Sequence, residues 1–296
     1  MNWTVKKAML VLGGSVVLTL LLSFSIYSVY EKWKTRRLSA EQYRIAGLVQ
    51  TGPEKEALKS VYLAELLGLS VDAPKNLYAL DLKKAELALL SSPLIAKAKV
   101  SRLPPNTIYV DYEVRKPLAW LSDYLNTAID KEGYLFPMAP FLSPKEMPEI
   151  YLGLPVFEGG QDSFGRKGGR WRTPLTNRYL QLAFDLLADF EGSPWKEGLR
   201  IKRIDVSNAF APTLGRREIV LFTEEEISFG RNTFVFPKIL RLAPKDYAQQ
   251  LQNFFALRRS MVEDYRKQLS SLDQDVRFAP RIVDLRVSQL AFVENH

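Results

Sequence analysis

The sequence predicts an α+β protein: one N-terminal transmembrane helix, a compact strand-helix-helix-strand-strand unit, and a β domain with an antiparallel sheet and covering helices. Three observations carry this. The stretch Ala8 to Tyr30 holds no acid or base except its tyrosines. Ala96 to Arg115 alternates apolar and charged residues on either side of a Pro104-Pro105-Asn106 break. In the C-terminal half, short strand-like segments recur among helical stripes.

The apolar stretch comes first. About 20 residues at roughly 1.5 Å each cross a bilayer's hydrocarbon, so Ala8 to Tyr30 suffices with modest tilt. "SFSIYSVYEKW" offers no small-x-small cleavage site, which favours an uncleaved signal anchor. Tyr27, Tyr30, Trp33 and Trp3 suit the two interfacial belts. The expected partition is a tail over 1–7, a membrane helix over 8–30 and a linker over 31–40. Flanking charge leaves the topology open: "EKWKTRR" outweighs "VKK", but long domains translocate largely regardless of charge.

Glu41 to Gln50 reads as a strand, ended by Thr51-Gly52-Pro53. A helix follows from about Lys59 with Val61, Leu63, Leu66 and Leu67 on its apolar side, closing at Gly68. A second helix, "LKKAELALLSS", carries Leu82, Ala85, Leu87, Leu89 and Leu90 and ends before Pro93. In the hairpin, pairing Val100 with Val110 also sets Lys99 opposite Asp111, Lys97 opposite Glu113 and Ala98 opposite Tyr112. One register satisfies both faces, and a one-residue slip would invert them. The prolines cannot donate ladder hydrogen bonds and belong in the turn.

Farther on, Leu175, Tyr179, Leu182, Leu186 and Phe190 form a helical stripe. Strands recur at "LRIKRIDVS", "REIVLF", "EEISFG" and "RIVDLRVSQLAFV", and Tyr247, Leu251, Phe254, Met261 and Tyr265 form a core-type stripe. Ile282 to Val293 reads as one strand at the end of the chain, open to two roles: sheet closure, or an edge that accepts another chain's strand.

Composition excludes several chemistries. The 296 residues contain no cysteine, so disulfides, thiolate nucleophiles and cysteine-ligated zinc are out. The one histidine, His296, is the last residue, which argues against a Ser-His-Asp triad or a histidine metal site. Of the +8 net charge, +5 falls in residues 1–37, where Lys6, Lys7, Lys32, Lys34, Arg36 and Arg37 face Glu31 alone. That excess suits anionic headgroups rather than nucleic acid. Gly160 to Lys167 misses a phosphate-binding loop, with Arg166 in the lysine position and Lys167 in the serine or threonine position. It joins the basic loop Gly165 to Arg172. Glu224 to Glu226 would be a poor carboxylate pair for glycan hydrolysis, since strand neighbours point to opposite faces, and is expected to cross a hairpin turn in water. The reading is a non-enzyme with no cofactor and no metal site. Its competitors are a membrane-anchored glycan hydrolase and a secretion or assembly component.

A set of ordered motifs then resembles one family. Asn76-Leu77-Tyr78, Ser92-Pro93-Leu94-Ile95, Val100, Arg102, Pro105-Asn106-Thr107, Glu113-Val114-Arg115-Lys116-Pro117 and Ala119-Trp120 match the POTRA domain of the FtsQ/DivIB cell-division proteins. Ile129, Asp130, Gly133 and Phe136 continue the match, as do Leu154, Pro155, Gly159, Phe229, Gly230, Arg231 and Val283 to Arg286. The resemblance implies a POTRA domain over 41–116, a β domain over 117–296, and a bitopic inner-membrane protein of the division septum with its N-terminus cytoplasmic. It also implies binding of FtsB- and FtsL-like partners, regulation of septal peptidoglycan synthesis, and a partner site at Asp284, Arg286, Val287, Ser288, Gln289, Leu290 and Phe292. Val287 stands where the family often has tyrosine, and Arg217 and Arg231 occupy the family's basic positions.

Overall fold

The computed structural model describes residues 5–52, 57–153, 171, 173–193, 199–269, 278–287 and 289–294. Trp3, Leu154, Pro155, Gly159, the loop Gly160 to Lys167, Ser288 and His296 lie outside them, as does the basic loop Gly165 to Arg172 apart from Trp171. The chain divides into two compact units, Met1–Val114 and Arg115–His296.

In the first unit, α1 (Val5–Ser39) runs on past the apolar stretch. The expected linker is therefore helical through Ser39. No glycine or proline interrupts it after Gly14, and Arg36 and Arg37 meet the negative end of the helix dipole. Glu41–Tyr43 is a 3-10 turn rather than strand, and β1 is only Gly47–Thr51. α2 (Ser60–Leu66) ends at Gly68, whose φ of +59° suits glycine. α3 (Leu82–Leu90) starts at Asp81, whose carboxylate accepts from the Lys83 and Lys84 N–H groups at 3.1 and 3.2 Å. Helix sidedness is narrower than expected. Leu63, Leu67, Ala85 and Leu89 are buried, whereas Val61, Leu87 and Leu90 are exposed, because such short helices bury one or two positions per turn against a three-stranded sheet.

β2 (Ile95–Leu103) and β3 (Thr107–Val114) form the expected hairpin, with Pro104 to Asn106 in the turn. Its register pairs Val100 with Val110, Lys99 with Asp111, Ala98 with Tyr112 and Lys97 with Glu113. Lys97 Nζ reaches Glu113 Oε2 at 3.0 Å on the solvent face, while Tyr112 is buried. Such an exposed pair contributes little, so Lys97→Ala should lower stability by less than about 1 kcal/mol in urea unfolding. β3 lies between β1, which it pairs in parallel, and β2. The Val100 N–H donates to Glu86 Oε1 at 3.0 Å, so a helix side chain occupies part of β2's outer edge.

The matched motifs have structural work here. Arg102 donates to the Leu77 and Leu80 carbonyls at 2.8 and 2.7 Å, and Leu77 is fully buried.

The second unit is a nine-stranded sheet. Its strands are β4 (Pro117–Leu121), β5 (Thr127–Asp130), β6 (Leu135–Pro137), β7 (Glu149–Tyr151), β8 (Leu199–Asp205), β9 (Ile219–Phe229), β10 (Asn232–Leu242), β11 (Arg281–Asp284) and β12 (Phe292–Glu294). Their order is β12-β11-β10-β9-β8-β7-β4-β5-β6. The sheet is mixed, since β4 with β7, β7 with β8, and β10 with β11 are parallel. Each parallel pair is joined by a long connection, whereas the antiparallel pairs β4-β5, β5-β6 and β9-β10 have short ones and β8-β9 is joined by the longer segment 206–218. Arg115 anchors the start of the unit: its Nη1 donates to buried Asp130 Oδ2 at 2.7 Å, and its guanidinium stacks 3.7 Å from the Tyr134 ring centre. Gly133 has φ +87°, and a Cβ there would meet the Leu175 carbonyl oxygen at 2.7 Å.

α4 (Arg178–Glu191) and α5 (Tyr247–Leu269) join the sheet in one core. α4 buries Leu180, Ala183, Leu186, Leu187 and Phe190, a face rotated from the expected stripe, since Tyr179 and Leu182 are only partly buried. In α5, Leu251, Phe254, Met261 and Tyr265 are buried as expected.

The acidic run departs most from expectation. Glu224 to Glu226 lie inside β9, which joins "REIVLF" and "EEISFG" into one strand, and Glu225 is 1% exposed. Its carboxylate bonds buried Lys238 of β10 and accepts from Arg258 of α5, with Nη2 at 2.6 Å. Burial pushes the Lys238 ammonium down, against the pull of the Glu225 charge. An acid here avoids water because two cations reach it across the sheet and from the helix above.

Candidate partner-binding edge

The terminal segment is not one strand. β11 pairs β10 in parallel, and β12 folds back antiparallel on β11, with Ile282 opposite Glu294, Val283 opposite Val293 and Asp284 opposite Phe292. Val283 and Leu285 are buried in the core, and the Leu285 N–H continues the ladder to the Arg241 carbonyl at 2.9 Å. A turn then reverses the chain: the Leu290 N–H donates to the Val287 carbonyl at 3.2 Å, and Gln289 has φ +62°. A left-handed backbone costs a non-glycine residue about 1 kcal/mol or more. Gln289→Gly should therefore hold or raise the melting temperature, and Gln289→Val should lower it; the reverse order in a thermal melt would remove the strain.

Four charges brace the outgoing chain. Arg286 Nη2 lies 2.7 Å from Asp284 Oδ2, and its Nη1 lies 3.2 Å from Glu218 Oε2 and donates to the Gly215 carbonyl at 3.3 Å. Arg241 closes the set, with Nη2 2.7 Å from Glu218 Oε2 and Nη1 3.6 Å from Asp284 Oδ2. Burial alone would raise the Asp284 carboxyl. Hydrogen bonds from the Arg286 side chain and backbone, with the Arg286 and Arg241 charges, hold it below its usual range. The stability it contributes is thus present above the unfolded carboxyl's pKa and lost as pH falls through the lower folded value.

The expected partner residues separate on this framework. Asp284 and Arg286 are engaged within the chain, whereas Val287, Leu290 and Phe292 are 49%, 56% and 54% exposed, and Gln289 occupies the turn. Ser288 lies outside the described residues. Arg217 is next to Glu218 at the same end of the sheet; its Nε donates to the Ala211 carbonyl at 2.7 Å and the residue is exposed. Arg231 sits in the two-residue turn between β9 and β10, ten residues before Arg241 and about 33 Å away at strand rise. It does not join the others.

Sequence reasoning missed Val293, 40% exposed on β12, and exposed Leu214, together with the bracing pair Glu218 and Arg241. The alternation of buried Val283 and Leu285 followed by the apolar residues Val287, Leu290 and Phe292 was a visible signal. What results, among the described residues, is a three-residue strand at the end of the sheet, bordered by exposed apolar side chains. Such an edge can accept an added strand through main-chain hydrogen bonds.

Residues 56–111 match the family model for the POTRA domain, FtsQ-type. The chain carries an FtsQ-type POTRA domain. The match covers α2, α3 and most of the β2-β3 hairpin. No curated protein matches the chain. One helix among the described residues, Met9–Ser39, is long and apolar enough to cross a membrane. With the FtsQ-type POTRA domain, that helix fits a single-pass membrane protein.

Proposed function

We propose that this chain is a non-enzymatic, bitopic scaffold of the cell-division machinery, with its N-terminus in the cytoplasm and its folded units outside the inner membrane at the septum. It binds FtsB- and FtsL-like division proteins and so helps regulate septal peptidoglycan synthesis. The FtsQ-type POTRA domain supports the division role. The observation that carries the binding mode is β12, the end strand of the nine-stranded sheet, with Phe292 and Val293 exposed on it.

The test is capture of the extracytoplasmic parts of FtsB- and FtsL-like proteins by the full chain. Truncation after Arg281 would remove buried Val283 and Leu285 and confuse binding with folding. Ending the chain at Leu290 removes β12 and spares both. Capture should then be lost while the thermal melt stays close to that of the intact chain. Undiminished capture would overturn the assignment of the edge.

A further inference from the structure

The C-terminal end of α1 carries four cations, Lys32, Lys34, Arg36 and Arg37, that the partner-binding edge does not use. Two are committed. Lys34 Nζ lies 3.7 Å from Glu31 Oε1. The Arg37 guanidinium lies 3.8 Å from the centre of the Trp33 ring and 4.8 Å from that of Tyr78. Lys32 and Arg36 are exposed and have no ion pair among the described residues. One helical turn apart, they share a shallow groove along α1 with Tyr27, Ser28, Thr35 and the acid Glu31, whose carboxylate is paired with Lys34.

Their depth is set by the span. If the hydrocarbon ends near Tyr30, Lys32 and Arg36 lie about 3 and 9 Å beyond it at helical rise, within or just outside a headgroup layer about 5–8 Å thick. Tyr30 and Trp33, with ring centres 6.4 Å apart, mark the same level. The azimuth of the face is also fixed, because Asn76 Nδ2 donates to the Arg37 and Leu38 carbonyls at 2.9 Å each. The POTRA unit thereby holds the last turn of the helix and satisfies two of its free carbonyls.

We propose that the Lys32 and Arg36 face of α1 is a binding site for the phosphate of an anionic phospholipid. An ammonium and a guanidinium one turn apart suit a single phosphodiester, with Arg36 able to engage two of its oxygens. The site rests on α1 spanning a bilayer and not on the partner edge.

The full chain would be placed in nanodiscs of phosphatidylcholine containing a minority of phosphatidylglycerol, then extracted in detergent. Mass spectrometry would read the phosphatidylglycerol retained relative to phosphatidylcholine. Enrichment is expected, and Lys32→Gln and Arg36→Gln should each lower it about fivefold. Arg37→Gln and Lys34→Gln, which remove the same charge from the same turns, should leave it unchanged. Absence of enrichment in the unaltered chain would overturn the site. So would an equal fall in the Arg37 or Lys34 variant, which would reduce the effect to net charge. Co-flotation with pure phosphatidylcholine vesicles reports insertion alone, so failure to span and failure to hold the lipid are separable.

Discussion

Glu225→Gln should destabilise the second unit by about 3–5 kcal/mol, because it leaves the fully buried Lys238 ammonium without its counter-charge and takes a partner from the partly exposed Arg258 guanidinium. Lys238 stands in the row Phe234, Phe236, Lys238, Leu240 and Leu242, all buried on one face of β10. Its ammonium also lies 5.8 Å from the Tyr265 ring centre. Urea unfolding of the full chain in detergent would report the loss as a lower midpoint. Replacing the charges together, as Glu225→Leu with Lys238→Met and Arg258→Met, should recover much of it, since a buried ion pair is often no more stabilising than apolar residues of similar volume. A Glu225→Gln midpoint within experimental error of the unaltered chain would show the cluster to be hydrated.

The second large effect is expected at β12. Proline placed in turn at Phe292, Val293 and Glu294 removes one backbone donor each time. In an edge strand these donors alternate between the neighbour β11 and the open side. Substitution at a donor facing β11 should loosen the terminal hairpin. At a donor facing outward it should spare the thermal melt and weaken partner capture by one to two orders of magnitude, the equivalent of about 1–3 kcal/mol for a hydrogen-bonding group left unmatched. Three variants that all bind normally would rule out strand addition. Arg286, in contrast, is a poor reporter of partner charge: its substitution also releases Asp284 and Glu218, so a binding loss there would mix local unfolding with recognition. Arg217 is the cleaner probe, since its side chain's one hydrogen bond among the described residues is to a backbone carbonyl.

The hairpin of the first unit was legible residue by residue because hydrophobic period and charge complementarity select the same register, and both partners lie within twenty residues. The buried cluster was not. Its three members come from β9, β10 and α5, and a charge read locally is assigned to water until the pairing strand is known. The alternation around Lys238 and the row Ile219, Leu221, Thr223, Glu225 and Ile227 carried the clue, since both place a charge in an otherwise inward-facing series. At the candidate edge the apolar residues were readable from composition. The reversal was not, because Gln289, at positive φ, is no turn-forming residue and the Arg286–Glu218 pair that braces the chain before it joins residues far apart in sequence.

The brevity of β12 has a consequence for self-association. A long, flat strand at the end of a sheet would serve equally well as a template for a second copy of the same chain, and crowded copies in a membrane would then compete with the intended ligand. Three residues supply too few main-chain bonds to hold another three-residue strand. Only a newcomer that also covers Leu290 and Phe292 with its own side chains gains enough to stay. Under the proposed function, discrimination between self and partner would come from how little backbone the edge offers.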